Sequence, residues 1–196
     1  RRFFVPDPGS ILEQKADRLL RNLDIVEKES ERLTRLINDV LDLTRIESGK
    51  MLWRDEPVNV PALIMDAVMA VEGRLENRPD VRLLLDLPKS LPVVTADRDR
   101  ILQVLINLVD NAFKFTNEGY VLVRAGQDAE GCLTVCVEDT GPGVSPDEAE
   151  KIFDKFHQHA SKDTLRDKPS GTGLGLAICR HIVAHYGGRI WGEAAS

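Results

Sequence analysis

Residues 11–48 contain neither glycine nor proline, and apolar or small side chains recur at Leu12, Ala16, Leu19, Leu23, Val26, Ser30, Leu33, Ile37, Val40 and Thr44. The steps alternate four and three without a break. Such a segment satisfies its backbone and gathers its apolar groups in one way, as a long helix with a heptad seam. Leu20, Leu36 and Leu41 widen the stripe toward a helical bundle. Charged residues such as Glu27-Lys28-Glu29 and Glu31-Arg32 form a solvated face. Pro6, Pro8, Gly9 and Ser10 predict a turn before the helix, with Ser10 as N-cap, and Gly49 predicts its end. A helix this long cannot cover its own stripe. It packs either on the chain's own globular part or, as favoured here, in a dimerising bundle.

The texture changes after this helix. Strands are predicted over Glu56–Asn59, Val81–Leu87, Val93–Val94, Gly119–Ala125 and Cys132–Glu138, with Arg189–Trp191 as a further candidate. Helices are predicted over Val60–Leu75, after Asp97 as cap and running to about Phe115, and from about Gly173 to Tyr186. Ser145-Pro146-Asp147-Glu148 reads as a capping box that starts another helix. His157–Ser170 is polar and reads as a mobile loop. The strands lack regular crossover helices, so the expected fold class is α+β: a long bundle or coiled-coil helix, then an α/β sandwich with a mixed sheet.

Composition narrows the partners. The chain's 196 residues carry 26 basic and 32 acidic side chains, a net charge of −6. That balance argues against nucleic acid, whose phosphates need a basic footprint. No apolar run is long enough for a membrane span, so a membrane is expected only through segments outside this sequence and the location is expected to be cytoplasmic. Cys132, Cys136 and Cys179 lack metal-site spacing and read as reduced core thiols.

Three constellations carry chemistry. On the Arg98–Phe115 helix, Asn107, Asn111 and Lys114 stand at i, i+4 and i+7, apart from the buried stripe Ile101, Val104, Leu105, Leu108 and Ala112. An Asn carbonyl is a neutral hard oxygen suited to Mg²⁺, and a Lys is a mobile charge for phosphate oxygens. In Val137-Glu138-Asp139-Thr140-Gly141-Pro142-Gly143, an apolar strand ends in a carboxylate and a turn that lets backbone approach a flat ring. Asp139 is placed to accept a hydrogen bond from a purine amine. In Ser170-Gly171-Thr172-Gly173-Leu174-Gly175-Leu176, alternating glycines open a helix whose free N–H groups favour an anion. It is neither a phosphate loop with a following Lys nor a dinucleotide fingerprint.

The order and separation of these motifs resemble the ATP-binding domain of sensor histidine kinases, a fold shared with gyrase and Hsp90 ATPase domains. Asn107–Thr116 is similar to that family's N box, Asp139–Gly143 to its G1 box, Ile152–Phe156 to its F box and Gly171–Leu176 to its G2 box. Arg35–Lys50 resembles the second helix of its dimerisation domain. The resemblance implies that residues 1–50 are a partial dimerisation domain lacking the acceptor helix, and that residues 55–196 are a catalytic ATP-binding domain lacking a final strand. It implies ATP and Mg²⁺ as ligands, with Asn111 on the metal and Asn107 and Lys114 on the phosphates. Phe115 flanks the nucleotide, Asp139 takes the adenine amine, and Gly141 and Gly143 give access. Gly171, Thr172, Gly173, Leu174, Gly175 and Leu176 close over the phosphates, beside a lid at His157–Ser170 hinged by Phe153 and Phe156. His157-Gln158 stands where related kinases carry an Arg, leaving Lys162 or Arg166 as substitutes.

The implied activity is transfer of the ATP γ-phosphate to a dimerisation-domain histidine and onward to an Asp of a response regulator, in a homodimer held by the N-terminal helix. None of His157, His159, His181 and His185 is followed by an acidic residue or precedes the heptad helix, so this stretch alone is expected to bind ATP without autophosphorylating. The alternative is an ATP-binding pseudokinase scaffold without an acceptor histidine. A hydrolytic mismatch-repair-type ATPase is disfavoured, because the helix face offers asparagines and Asp110 lies off it.

Overall fold

The structure, a computed structural model, describes residues 8–75, 80–157 and 171–193. Helix α1 spans Pro8–Glu47, 40 residues and about 60 Å at 1.5 Å per residue. It includes Pro8, Gly9 and Ser10, so Ser10 lies inside the helix and does not cap it; Pro is tolerated in a first turn, where its missing N–H has no intrahelical partner. Pro6 lies outside the described residues. At the other end Gly49 N–H donates to Ile46 O and Lys50 N–H to Arg45 O, the paired bonds of a Schellman stop.

The remaining elements are β1 (Asp55–Val58), α2 (Val60–Leu75), β2 (Val81–Asp86), β3 (Val94–Asp97), α3 (Arg98–Phe115), β4 (Gly119–Gln127), β5 (Leu133–Asp139) and α4 (Gly175–His185). Strands β1 and β3 form an antiparallel pair, while β2, β4 and β5 form a separate sheet in that order. In the second sheet β2 runs parallel to β4, with Val81 opposite Gly119, and β5 runs antiparallel to β4, with Val121 opposite Asp139. The sheet is therefore mixed.

Alternation along β4 turns Val121 and Val123 inward, both fully buried. They share one core with Leu63, Ile64, Ala67 and Val71 of α2 and with Leu105, Val109, Ala112 and Phe113 of α3. Asp97 ends β3 and caps α3: its Oδ1 accepts from Arg100 N–H at 3.1 Å and its Oδ2 from Arg54 N–H at 2.9 Å. Its own N–H donates to the Tyr186 hydroxyl, which donates to Asp55 Oδ1. This chain of bonds ties the end of α4 to both short strands. Asn59 starts α2 by accepting from Ala62 N–H.

A second core joins α1 to the globular part. Leu43 of α1 packs with Val104 of α3 and with Leu174, Ile178, Cys179 and Ile182, and Ile46 and Trp53 border them. Other stripe residues of α1 are open to solvent: Leu19, Leu23, Val26, Leu33 and Ile37 are each at least 50% exposed. The end of the helix thus packs on the chain's own globular part.

Three expectations are corrected. No helix follows the Ser145 capping box. Ser145 Oγ does bond Glu148 Oε2, but only turns and a 3-10 turn at Lys151–Phe153 result, because Asp147–Lys151 offers no apolar side chain larger than Ala149 to bury. Arg189–Trp191 forms no strand. Cys132 and Cys136 are exposed and only Cys179 is buried; burial pushes the Cys179 thiol up to about 12.

Candidate functional site

The predicted face of α3 exists, and three separate segments come to it. Lys114 lies 4.7 Å from the Phe115 ring centroid. Its Nζ approaches Gly171 so closely that a β-carbon on that glycine would lie 3.0 Å away. One turn earlier is the half-buried Asn111. Asn107 faces α4: its Nδ2 donates to Gly175 O at 3.5 Å and to Cys179 Sγ at 3.7 Å. The N-box and G2-box residues therefore touch at both ends of the predicted face.

Asp139 ends β5, where Oδ1 accepts from Gly141 N–H at 2.8 Å. A β-carbon on Gly141 would stand 2.6 Å from that oxygen and 3.0 Å from Phe115 O. Any side chain there would push the turn off the end of α3, which is the physical reason this position is glycine. Gly143 has φ +72° and open space around it. Phe115 is partly exposed beside this turn, where a flat ring can lie against it. The carboxylate, the carboxamides and the ammonium thus surround the last turns of α3.

Within the G2 loop, the Thr172 hydroxyl donates to Asp39 Oδ2 of α1 at 2.7 Å and accepts from Leu174 N–H at 3.2 Å. Leu174 is fully buried and Leu176 half-buried, so the Leu174 side chain serves the core, while its backbone bonds Thr172 and Ile178. Gly173 has φ +70° and accepts from Phe156 N–H. That bond ties the F box to the G2 box. A Gly173→Ala substitution places a β-carbon 2.9 Å from the Phe156 backbone in a left-handed conformation. It is expected to cost about 2 kcal/mol and lower Tm by about 4–8 °C in scanning calorimetry; an unchanged Tm would contradict the tie.

Phe153 is buried, as an anchor should be, whereas Phe156 is 65% exposed and occupies a left-handed turn at φ 61°. His157 Nε2 is buried without a hydrogen-bond partner among the described residues. Residues 158–170, with Gln158, Lys162 and Arg166, lie outside the described residues, and so does the lid assigned to them. The Lys114 ammonium is held below the ordinary lysine range by burial and by Arg32 and Arg35 of α1. An anion beside it relieves both effects. No group of three or more His, Cys, Asp or Glu side chains that could hold a metal ion occurs among the described residues.

Sequence reasoning missed what α1 does here. Asp39 meets Thr172, Asp42 accepts from Arg100 at 2.6 Å and Gln103 at 3.0 Å, and Glu47 pairs with Lys155. Their spacing places the three carboxylates on one helical face with Leu43 and Ile46. The partners are distant in sequence and gave no local signal.

This arrangement defines an ATP-binding domain of two helices on a mixed sheet, with its ligand motifs gathered at the end of the central helix. The family described as histidine kinase-, DNA gyrase B-, and HSP90-like ATPase matches residues 96–196, and the chain belongs to it. The sensor protein GacS of Pseudomonas syringae pv. syringae is 34% identical over 187 residues, covering 90% of this chain and 20% of its own. The sensor histidine kinase WalK of Bacillus subtilis is 34% identical over 176 residues, covering 89% and 28%. Full-length ShkA in complex with AMPPNP matches with a TM-score of 0.74 and 30% identity, over 90% of this chain and 36% of that one. Histidine kinase ThkA in complex with the response regulator TrrA matches at TM-score 0.68 and 28% identity, over 98% and 50%. The chain spans about a fifth of the length of GacS. No helix among the described residues is long and apolar enough to cross a membrane.

Proposed function

We propose that this chain is the ATP-binding catalytic domain of a sensor histidine kinase, residues 55–196, joined to the second helix of its dimerisation domain, residues 1–50. The observation that carries the reading is the convergence of Asp139, Gly141, Asn111, Lys114 and Gly171 around the last turns of α3. The similarity to sensor kinases along nine-tenths of the chain supports it.

Phosphoryl transfer asks a protein mainly for alignment and charge neutralisation. In this reading Asp139 fixes the adenine amine while the G1 turn lets the ring lie close to Phe115. Lys114 holds phosphate oxygens at Gly171, and Asn107 aligns the phosphates from the start of α4. The N–H groups of Gly173, Gly175 and Leu176 stand at the opening of α4, and an anion is favoured there. Asn111 presents its carbonyl oxygen to Mg²⁺, which neutralises charge on the phosphates when bound.

The acceptor is a histidine of the dimerisation domain. The next acceptor is an Asp of a response regulator, the kind of partner present in the ThkA–TrrA complex. The exposed stripe of α1 supports a homodimer through this helix, and a reaction that uses ATP and a response regulator fits a cytoplasmic location. Incubating the full-length protein with γ-³²P-ATP is expected to give label lost in acid and kept in base, as for phosphohistidine. Acid-stable label would refute the reading, and nucleotide binding without any label would favour a pseudokinase scaffold.

A further inference from the structure

The loop assigned to the phosphates is already engaged by a carboxylate of the same chain. Thr172 lies between Gly171, where Lys114 Nζ arrives, and Gly173, which is bonded to Phe156. Its hydroxyl proton goes to Asp39 Oδ2 at 2.7 Å, and its oxygen takes the Leu174 N–H. A phosphate oxygen that accepts from the Thr172 hydroxyl in this loop needs that same proton. It also needs distance from the Asp39 charge, since two anions a few ångströms apart repel strongly in a half-buried site. Asp39 is poorly solvated where it stands: burial lifts its carboxyl above the usual range, with Thr172 and Arg35 opposing and Asp42 adding.

The rest of the α1 docking does not use the Thr172 hydroxyl; it meets this loop only where Leu43 packs with the Leu174 side chain. Asp42 holds Arg100 and Gln103, Leu43 packs on Ile178 and Ile182, and Glu47 pairs with Lys155. These contacts set the position of α1 and thereby hold Asp39 against Thr172.

We propose that Asp39 competes with the nucleotide for the Thr172 hydroxyl, so that docking of α1 and filling of the phosphate site oppose each other. The proposal rests on the reading that the G2 loop receives the phosphates. By reciprocity, phosphate binding weakens α1 docking by the same factor by which docking weakens phosphate binding. The coupling belongs to the phosphates, so a nucleoside without them does not register it.

The test measures affinity of the full-length protein for Mg-AMPPNP and for adenosine by titration calorimetry, in the wild type, Asp39→Ala and Asp42→Ala. Asp39→Ala is expected to tighten Mg-AMPPNP binding about fivefold to tenfold and to leave adenosine unchanged. Asp42→Ala, which removes a docking contact on α3 away from the loop, is expected to tighten Mg-AMPPNP in the same direction. Unchanged or weaker Mg-AMPPNP binding by Asp39→Ala overturns the competition. Tightening by Asp39→Ala with none by Asp42→Ala overturns the link to helix docking. Failure of the wild type to bind either ligand overturns the nucleotide reading itself, which the first two outcomes leave standing.

Discussion

Replacing Asp139 by Ala is expected to weaken Mg-ADP binding by about 100-fold in titration calorimetry. A hydrogen bond to a charged group in a partly buried site is worth roughly 2–3 kcal/mol when its loss leaves a polar partner unsatisfied. Asp139 also shapes the turn that admits the ring, because its Oδ1 holds the Gly141 N–H. The substitution therefore removes both the acceptor for the adenine amine and the lock on the turn. Asp139→Asn keeps an oxygen acceptor for Gly141 and is expected to lose less. Circular dichroism should be unchanged, since Asp139 is the last residue of β5 and lies outside both apolar cores. Equal affinity of Asp139→Ala and wild type would refute the assignment of the adenine site.

The other large effect belongs to α1. Leu33→Asp together with Ile37→Asp is expected to turn a dimer into a monomer, read by light scattering on a size-exclusion column. Leu33 is 56% and Ile37 50% exposed on this chain alone, whereas Leu43, two turns beyond Leu36, is buried against α4. Covering two such side chains is worth about 4 kcal/mol in all, so their loss raises the dissociation constant about a thousandfold. Nucleotide affinity is expected to persist in the double variant, because neither residue is in the apolar core shared by α1 and α4. A dimer that survives the double substitution would show that another surface holds the copies together.

Much of this was legible locally. The 3.6-residue period of Arg98–Phe115 separated the apolar stripe from Asn107, Asn111 and Lys114; of that stripe Val104, Leu105 and Ala112 are buried, Ile101 and Leu108 are only partly covered, and Val109 and Phe113 are buried beside it. Asp97 was readable as a cap because a short carboxylate before an apolar run satisfies the helix's orphan N–H groups, as it does at Arg100. The Ser145 capping box misled for a related reason. A cap starts a helix only when an apolar face follows to hold it, and Asp147-Glu148-Ala149-Glu150-Lys151 has none. Cys132 and Cys136 misled because alternation says which side chains share a face and is silent on which face is covered.

The site divides in the same way. Residue types at fixed spacing along one element offered Asn111, Lys114, Asp139 and the glycines as candidates, because each motif carries its own chemistry within a few residues. Their meeting depended on contacts across long stretches of chain, such as Lys114 with Gly171 and Phe115 with Gly141. Periodicity carries no information about such distances.

The sequence by itself determined the long helix, the class of the domain and the kinds of atoms offered to a nucleotide, since local hydrogen bonding and amphipathic spacing decide these. Only the tertiary structure decided the strand order β2–β4–β5, the burial of Leu174 away from the ligand surface, and the engagement of Thr172 by Asp39. Those depend on which distant apolar faces cover one another, and a face is covered by volume and shape that no single segment encodes.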